Sequence, residues 1–468
     1  MSPPKRIKPA QAERPQAALS FLTTITIEHF HRFFEFIQYS AHTYDEGATA
    51  VAQSLERELK DEMENNVFDA ITLYSACLQT RFTADTIRRV VTSCASAIQT
   101  LWKIHQSLLR LISGPWVPSA ATIFLAECLE SMTTPVPSSL VLTDSTTFNT
   151  ELPMEGPVIL GIPKIYFGSP LSWPSIAHEL AHNILTKRKF LPKGSETFAD
   201  WAYEHASDYL ATRMLGPPFV AAWVESVILR KFVFADMVTH PCSMRRFKFI
   251  TTNMPQHWVD DPVIDHCTRL FKCLEAATKD PEKKLARELI PTHVDQCLSC
   301  GQILPRVLES AGSQAEYNRV VDSLQKDLAD VPVKEYDYDI QVVEHLSDQL
   351  EDGIPASAVT ETDPSLNRLV GSLRKASKSD RAARFNTIAK QLVQRPARAS
   401  HIMHAGWRFK LSHLSGKLEK NLAGFEESRK WQFFEEMREE IKSVDEFIVA
   451  SIATSRFHHS LEGLNATF

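Results

Sequence analysis

The chain has 468 residues, enough for about two or three domains and for a full core without disulfide staples. Hydrophobic residues make up 44% and charged residues 23%, which excludes a wholly disordered chain; the balance of 57 acids against 51 bases, net charge -6, argues against a nucleic-acid partner. Glycine is scarce at 15 residues against 26 prolines, so few positions suit the positive-φ turns of hairpin-rich proteins, and a mainly helical chain is expected.

The opening MSPPKRIKPAQAERPQ carries Lys5, Arg6 and Lys8 with no apolar stretch behind them, and residues 1–17 read as a flexible tail rather than a signal sequence. From 18 to 150 a helical N-terminal domain is predicted. Phe30, Phe33, Phe34 and Ile37 form one stripe at helical spacing; Val51, Leu55, Leu59 and Met63 form a second; Val91, Ile98, Leu101, Ile104 and Leu108 form a third. Pro135, Pro137 and the Ser/Thr-rich stretch to Thr150 read as a connecting loop. Next, PVILGIPKIYF (157–167) reads as a strand, and Pro163, which cannot donate to a ladder, points to an edge or bulged one.

Two helices follow, over 174–188 and 196–215. The first ends in Lys187, Arg188 and Lys189, and the second stops at Gly216, Pro217 and Pro218. Helical patterning resumes from Phe219 to Leu328. A polar segment around Pro355–Pro364 precedes a last helical block, in which Phe434, Met437, Ile441, Val444 and Ile448 share a face. The boundaries expected are 151–330 for a central domain and 331–468 for a helical C-terminal region. The most apolar segment, Phe219–Leu229, is interrupted by Glu225 and is far shorter than the roughly 20 residues of a membrane span, so no membrane partner is expected. Eight cysteines without a secretion signal fit reduced thiols in a cytoplasmic protein.

The sharpest motif is HELAH. Residues four apart share a helix face, so His178 and His182 can present two imidazoles to one metal ion, with Glu179 beside them to polarise a water. On the next helix Glu204 would complete a two-histidine, one-carboxylate set. Asp208, one turn on, would accept the Nδ1 proton of His178 and fix its tautomer. Glu196 and Asp200 repeat the same acid spacing nearer the histidines and compete for the third-ligand role, although acids in a first helical turn also simply suit the dipole. Other groupings are weaker. His293, Cys297 and Cys300 have no second pair to complete a metal site, and His401 and His404 beside Trp407 have no acid close in sequence.

HELAH followed by EHASD resembles the gluzincin zinc metallopeptidases, whose signature is HExxH on one helix and ExxxD on the next; the resemblance covers about 157–250. THPCSMRRF resembles the THPP-then-arginine segment of one gluzincin branch, with Cys242 in place of the second proline. The resemblance implies a mainly α fold with a small β-sheet, a zincin-like metallopeptidase core flanked by the helical N- and C-terminal regions. It implies one zinc ion on His178, His182 and Glu204, with Glu179 as general base and Asp208 behind the ligands. His240 would stabilise the tetrahedral oxyanion, and Arg246 would position His240 or contact substrate. A protein or peptide substrate would add to the strand at 159–167, with Tyr166 lining the cleft. The expected activity is a zinc metalloendopeptidase, with the flanking helices as candidates for recognising a regulatory protein partner. The alternative is a non-catalytic helical scaffold with a structural zinc.

Overall fold

The computed structural model describes residues 9–43, 53, 56–80, 82–108, 121, 124, 127–128, 140–145, 149–151, 158–163, 166, 169–190, 196–228, 240–278, 311–329, 331, 333–353, 356 and 397–465. In chain order the helices that matter are α1 (Pro9–Thr43), α2 (Phe68–Gln79), α3 (Ala84–Leu108), α4 (Ile176–Lys187), α5 (Glu196–Leu215), α6 (Pro217–Ile228), α7 (Ser243–Asn253), α8 (Pro262–Thr278), α9 (Ala311–Leu328), α10 (Ile340–Glu351), α11 (Ala399–Phe409), α12 (Ser415–Ala423) and α13 (Lys430–Asn465).

This corrects the expected class. With 87% of the described residues in helices, the protein is a helical one, not a mainly α fold organised on a zincin-like sheet. Among the described residues the strands are three short segments, β1 (Leu140–Ser145), β2 (Asn149–Glu151) and β3 (Val158–Pro163). The order is β1-β3-β2, with β3 parallel to β1 and antiparallel to β2. Two expectations fail here. The stretch read as a loop before Thr150 contains β1, and β3, expected at an edge or bulged, lies between β1 and β2, the latter pairing with it over Ile159–Gly161. Pro163 is tolerated because it is the last residue of its strand, opposite Ser145.

The described core is drawn from helices and the turns that join them, and it is continuous from Ala18 to Ile452. At its centre is α1, which packs on α3, α8, α12 and α13. Its apolar stripe explains this: Phe21, Phe30, Phe33, Phe34 and Ile37 are all buried, each worth about 1.5–3 kcal/mol of transfer free energy. Phe21 meets Trp407 edge-on at 6.4 Å, and Phe34 meets Phe434 at 5.8 Å. The tail expected over 1–17 is corrected in its second half. The helix begins at Pro9, and the run of Ala10, Ala12, Ala17 and Ala18 favours it. Gln16 anchors it by donating to Glu419 Oε2 (2.9 Å), and its carbonyl accepts from the Tyr74 hydroxyl.

Three local devices hold the two central helices. A 3-10 turn, Pro170–Ser175, leads into α4 and is itself buried; the Trp173 indole donates to the Tyr166 carbonyl, and the Trp407 indole donates to Leu171 O. Lys189, in the left-handed region at φ 53°, ends α4 while Phe190 N reaches back to Leu185 O. Gly216 ends α5 at φ 63°, where a Cβ would also stand 2.4 Å from the Tyr336 ring. Only glycine fits there, and Pro217 then opens α6 without an N–H to satisfy.

Candidate metal centre

Helix α4 divides by its period. Ile176, Ala177, Leu180, Ala181, Ile184 and Leu185 are buried, while His178, Glu179 and His182 lie on the less covered side. Helix α5 packs against α4 and brings Glu204 opposite the histidines. The Glu204 carboxylate has Oε2 3.3 Å from His178 Nε2 and Oε1 3.4 Å from His182 Nε2, and the two Nε2 atoms are 2.9 Å apart. His178, His182 and Glu204 thus form a group that could hold a metal ion, one donor atom from each lying within 4.8 Å of the others.

The opposite ends of both rings are engaged. His178 Nδ1 faces Asp208 Oδ1 at 3.0 Å, and a carboxylate can only accept, so the ring proton belongs on Nδ1. His182 Nδ1 lies 2.9 Å from Ser207 Oγ. Tyr203, one residue before Glu204, stacks its ring on His182 at 5.3 Å and 17°, and its hydroxyl donates to the His182 carbonyl.

Arg246, buried in the first turn of α7, closes the rear of the site. Its Nε and Nη2 donate to the two oxygens of Asp208, each at 2.7 Å, and Nη1 stands 3.2 Å from Glu204 Oε2. Burial by itself would raise the Asp208 carboxyl, but the Arg246 charge and its hydrogen bonds hold it down to about 2. The same balance, burial overcome chiefly by Arg246, keeps Glu204 well below the usual carboxylate range. For His178 burial disfavours the charged ring, yet Asp208 and Glu204 outweigh it and lift it to about 9. Glu179 is half-buried and close enough to Arg246 to act on its charge. His205, the inward residue between Glu204 and Ser207, is pushed down to about 4 by burial and touches the Tyr317 hydroxyl at 3.0 Å.

The structure therefore brings together His178, Glu179, His182, Glu204, Asp208 and Arg246. Of the two acids, Glu204 stands with the histidines; the side chain of Glu196 lies outside the described residues. His240, half-exposed, reaches Glu204 Oε1 at 3.3 Å but is not part of the three-residue donor group. Tyr166 is buried, edge-on to His29 at 6.0 Å and beneath Arg32, so it packs against α1. His404, with no acid close in sequence, finds one at a distant helix start, Asp261 Oδ2 at 3.1 Å; its Nδ1 meets the Tyr336 hydroxyl at 2.9 Å. His293, Cys297 and Cys300 lie outside the described residues. Ser207 and Tyr203 were not legible as site residues, although they repeat the four-residue spacing of Glu204 and Asp208 one position earlier on the same helix.

No described helix is long and apolar enough to cross a membrane. No protein-family model, curated protein or solved structure matches the chain.

Proposed function

We propose that this chain is a zinc-dependent peptidase whose donor set resembles that of the gluzincins, carried on a helical fold of its own. The observation that carries the reading is the convergence of His178 Nε2, His182 Nε2 and Glu204 on one point, with the Nδ1 ends of both rings turned to Asp208 and Ser207. Two nitrogen lone pairs 2.9 Å apart repel unless a proton or a cation lies between them, and two imidazoles with a carboxylate suit zinc. A zinc ion held there supplies Lewis acidity, which makes water acidic near neutral pH and a peptide carbonyl electrophilic.

The remaining work falls to the chain. Glu179, next to the first ligand, takes the proton of the attacking water and returns it to the leaving amine. Asp208 and Ser207 hold the two rings, and Arg246 holds Asp208 and Glu204 in place. His240, beside Glu204 and open to solvent, is placed to donate to the oxyanion of a bound peptide. The substrate class is protein or peptide.

Metal analysis and a peptide-library digest test this together. The wild-type protein carries near-stoichiometric zinc and cuts; His182→Ala loses the metal. Glu179→Gln keeps it and loses about 10²–10⁴-fold in turnover. A protein without zinc, or a Glu179→Gln variant as active as wild type, overturns the proposal.

A further inference from the structure

We propose that Ser207 is the positioning residue of the second ligand: it fixes His182 in the tautomer that leaves Nε2 free for metal. This rests on the metal-site reading above and adds a residue to it. A serine hydroxyl has one proton, and at Ser207 that proton is committed, because Oγ donates to the Tyr203 carbonyl one turn back at 3.0 Å and a carbonyl can only accept. The Oγ lone pairs are what remains for the ring nitrogen 2.9 Å away, so His182 Nδ1 must be the donor. With the proton on Nδ1, the lone pair is on Nε2, the atom that faces His178 Nε2 and Glu204 Oε1.

The ring plane is fixed from the same helix. Tyr203 lies parallel to His182, and its hydroxyl holds the His182 backbone carbonyl at 3.0 Å, so tautomer and orientation are set by two residues one turn apart on α5. The two ligands are thus supported unequally. His178 faces a carboxylate, itself forked by Arg246, whereas His182 faces a neutral hydroxyl with one orientation. As an acceptor a hydroxyl pulls on the Nδ1 proton less than a carboxylate does and so raises the basicity of Nε2 less, which makes Ser207 a device for orientation more than for basicity.

Two measurements test the assignment. Ring-nitrogen NMR on metal-free protein reads the tautomer directly: wild type and Ser207→Thr show His182 with the proton on Nδ1, and Ser207→Ala shifts it toward Nε2. Chelator competition reads zinc affinity: Ser207→Ala binds about 10–100-fold more weakly, and Ser207→Thr, which keeps the hydroxyl, recovers most of it. Circular dichroism confirms that the variants keep the helical fold. A wild-type His182 protonated on Nε2, or a Ser207→Ala protein with unchanged tautomer and affinity, overturns the inference. Should wild type show the assigned tautomer and yet bind no zinc, the peptidase reading fails and the Ser207 assignment stands.

Discussion

The metal centre and a second buried cluster 20 or more residues away in sequence from any of its donors are both crowded with ionisable groups, but they are assembled by opposite rules. In the second cluster Arg32 of α1 donates to Glu28 one turn earlier and, at 3.0 Å, to Glu225 of α6. Lys410, in the turn after α11, meets Glu28 at 2.5 Å and Glu225 at 3.6 Å, and its ammonium lies 4.5 Å from the Trp407 ring. Cations alternate with anions, and every one of these side chains is buried. At the candidate metal centre the donors instead point at one another: two nitrogens and a carboxylate converge, with the Arg246 guanidinium beside Glu204. A cluster whose charges alternate completes itself and serves the fold, while one whose donor atoms converge could hold a metal ion.

The comparison breaks most visibly in stability. Arg32→Met leaves Glu28 and Glu225 buried with one cation for two carboxylates, and unfolding in urea should show a loss of about 3–5 kcal/mol that zinc does not restore. His182→Ala should do the reverse: the metal-free protein unfolds close to wild type, since His182 is partly exposed, but the gain on adding metal disappears. Zinc at a hundredfold over its Kd stabilises a native-state binder by about 2.7 kcal/mol, so the wild-type curve should move by that much and the variant not at all. If both variants lose stability equally with and without metal, the distinction between the clusters falls.

Sequence carried the metal centre further than it carried the fold. HELAH and EHASD specify their own geometry, because a four-residue step on a helix puts His178 over His182 and Glu204 over Asp208 whatever surrounds them. The packing of α4 on α5 then supplies the match. What no local pattern could specify is contact across the chain. Glu225 looked like an interruption in an apolar helix, yet it is buried because α1 and the segment after α11 deliver Arg32 and Lys410 to it. Asp261 and His404 meet for the same reason. The β-branched run does form a strand over Val158–Pro163, but whether a strand is an edge depends on its neighbours, and β3 lies between β1 and β2. The role of Ser207 has no local signature, because it depends on where a hydroxyl proton goes, and that follows from the Tyr203 carbonyl one turn back.

Within the second cluster the charges do not balance evenly, and pH should expose it. Glu225 would be raised by burial, but Lys410 and Arg32, with His29 beside them, hold it below the usual carboxylate range. Below about pH 4.3 the unfolded chain takes up a proton that folded Glu225 refuses, so this group's contribution is present above that pH and is lost on acidification. Asp445 of α13 goes the other way. Burial pushes its carboxyl well above the ordinary value; Arg32 and Lys410 oppose the shift, and Glu28 and Glu225 add to it. Above about pH 3.9 the unfolded chain releases a proton that folded Asp445 keeps, so stability falls as pH rises toward the folded pKa. Asn mimics the protonated acid and removes only that second slope. Asp445→Asn should therefore be more stable than wild type at pH 7, by about 1.4 kcal/mol for each unit of upward shift, and match it at pH 3. A variant less stable than wild type at pH 7 would show that Asp445 is ionised in the fold, making it a third working anion against Arg32 and Lys410.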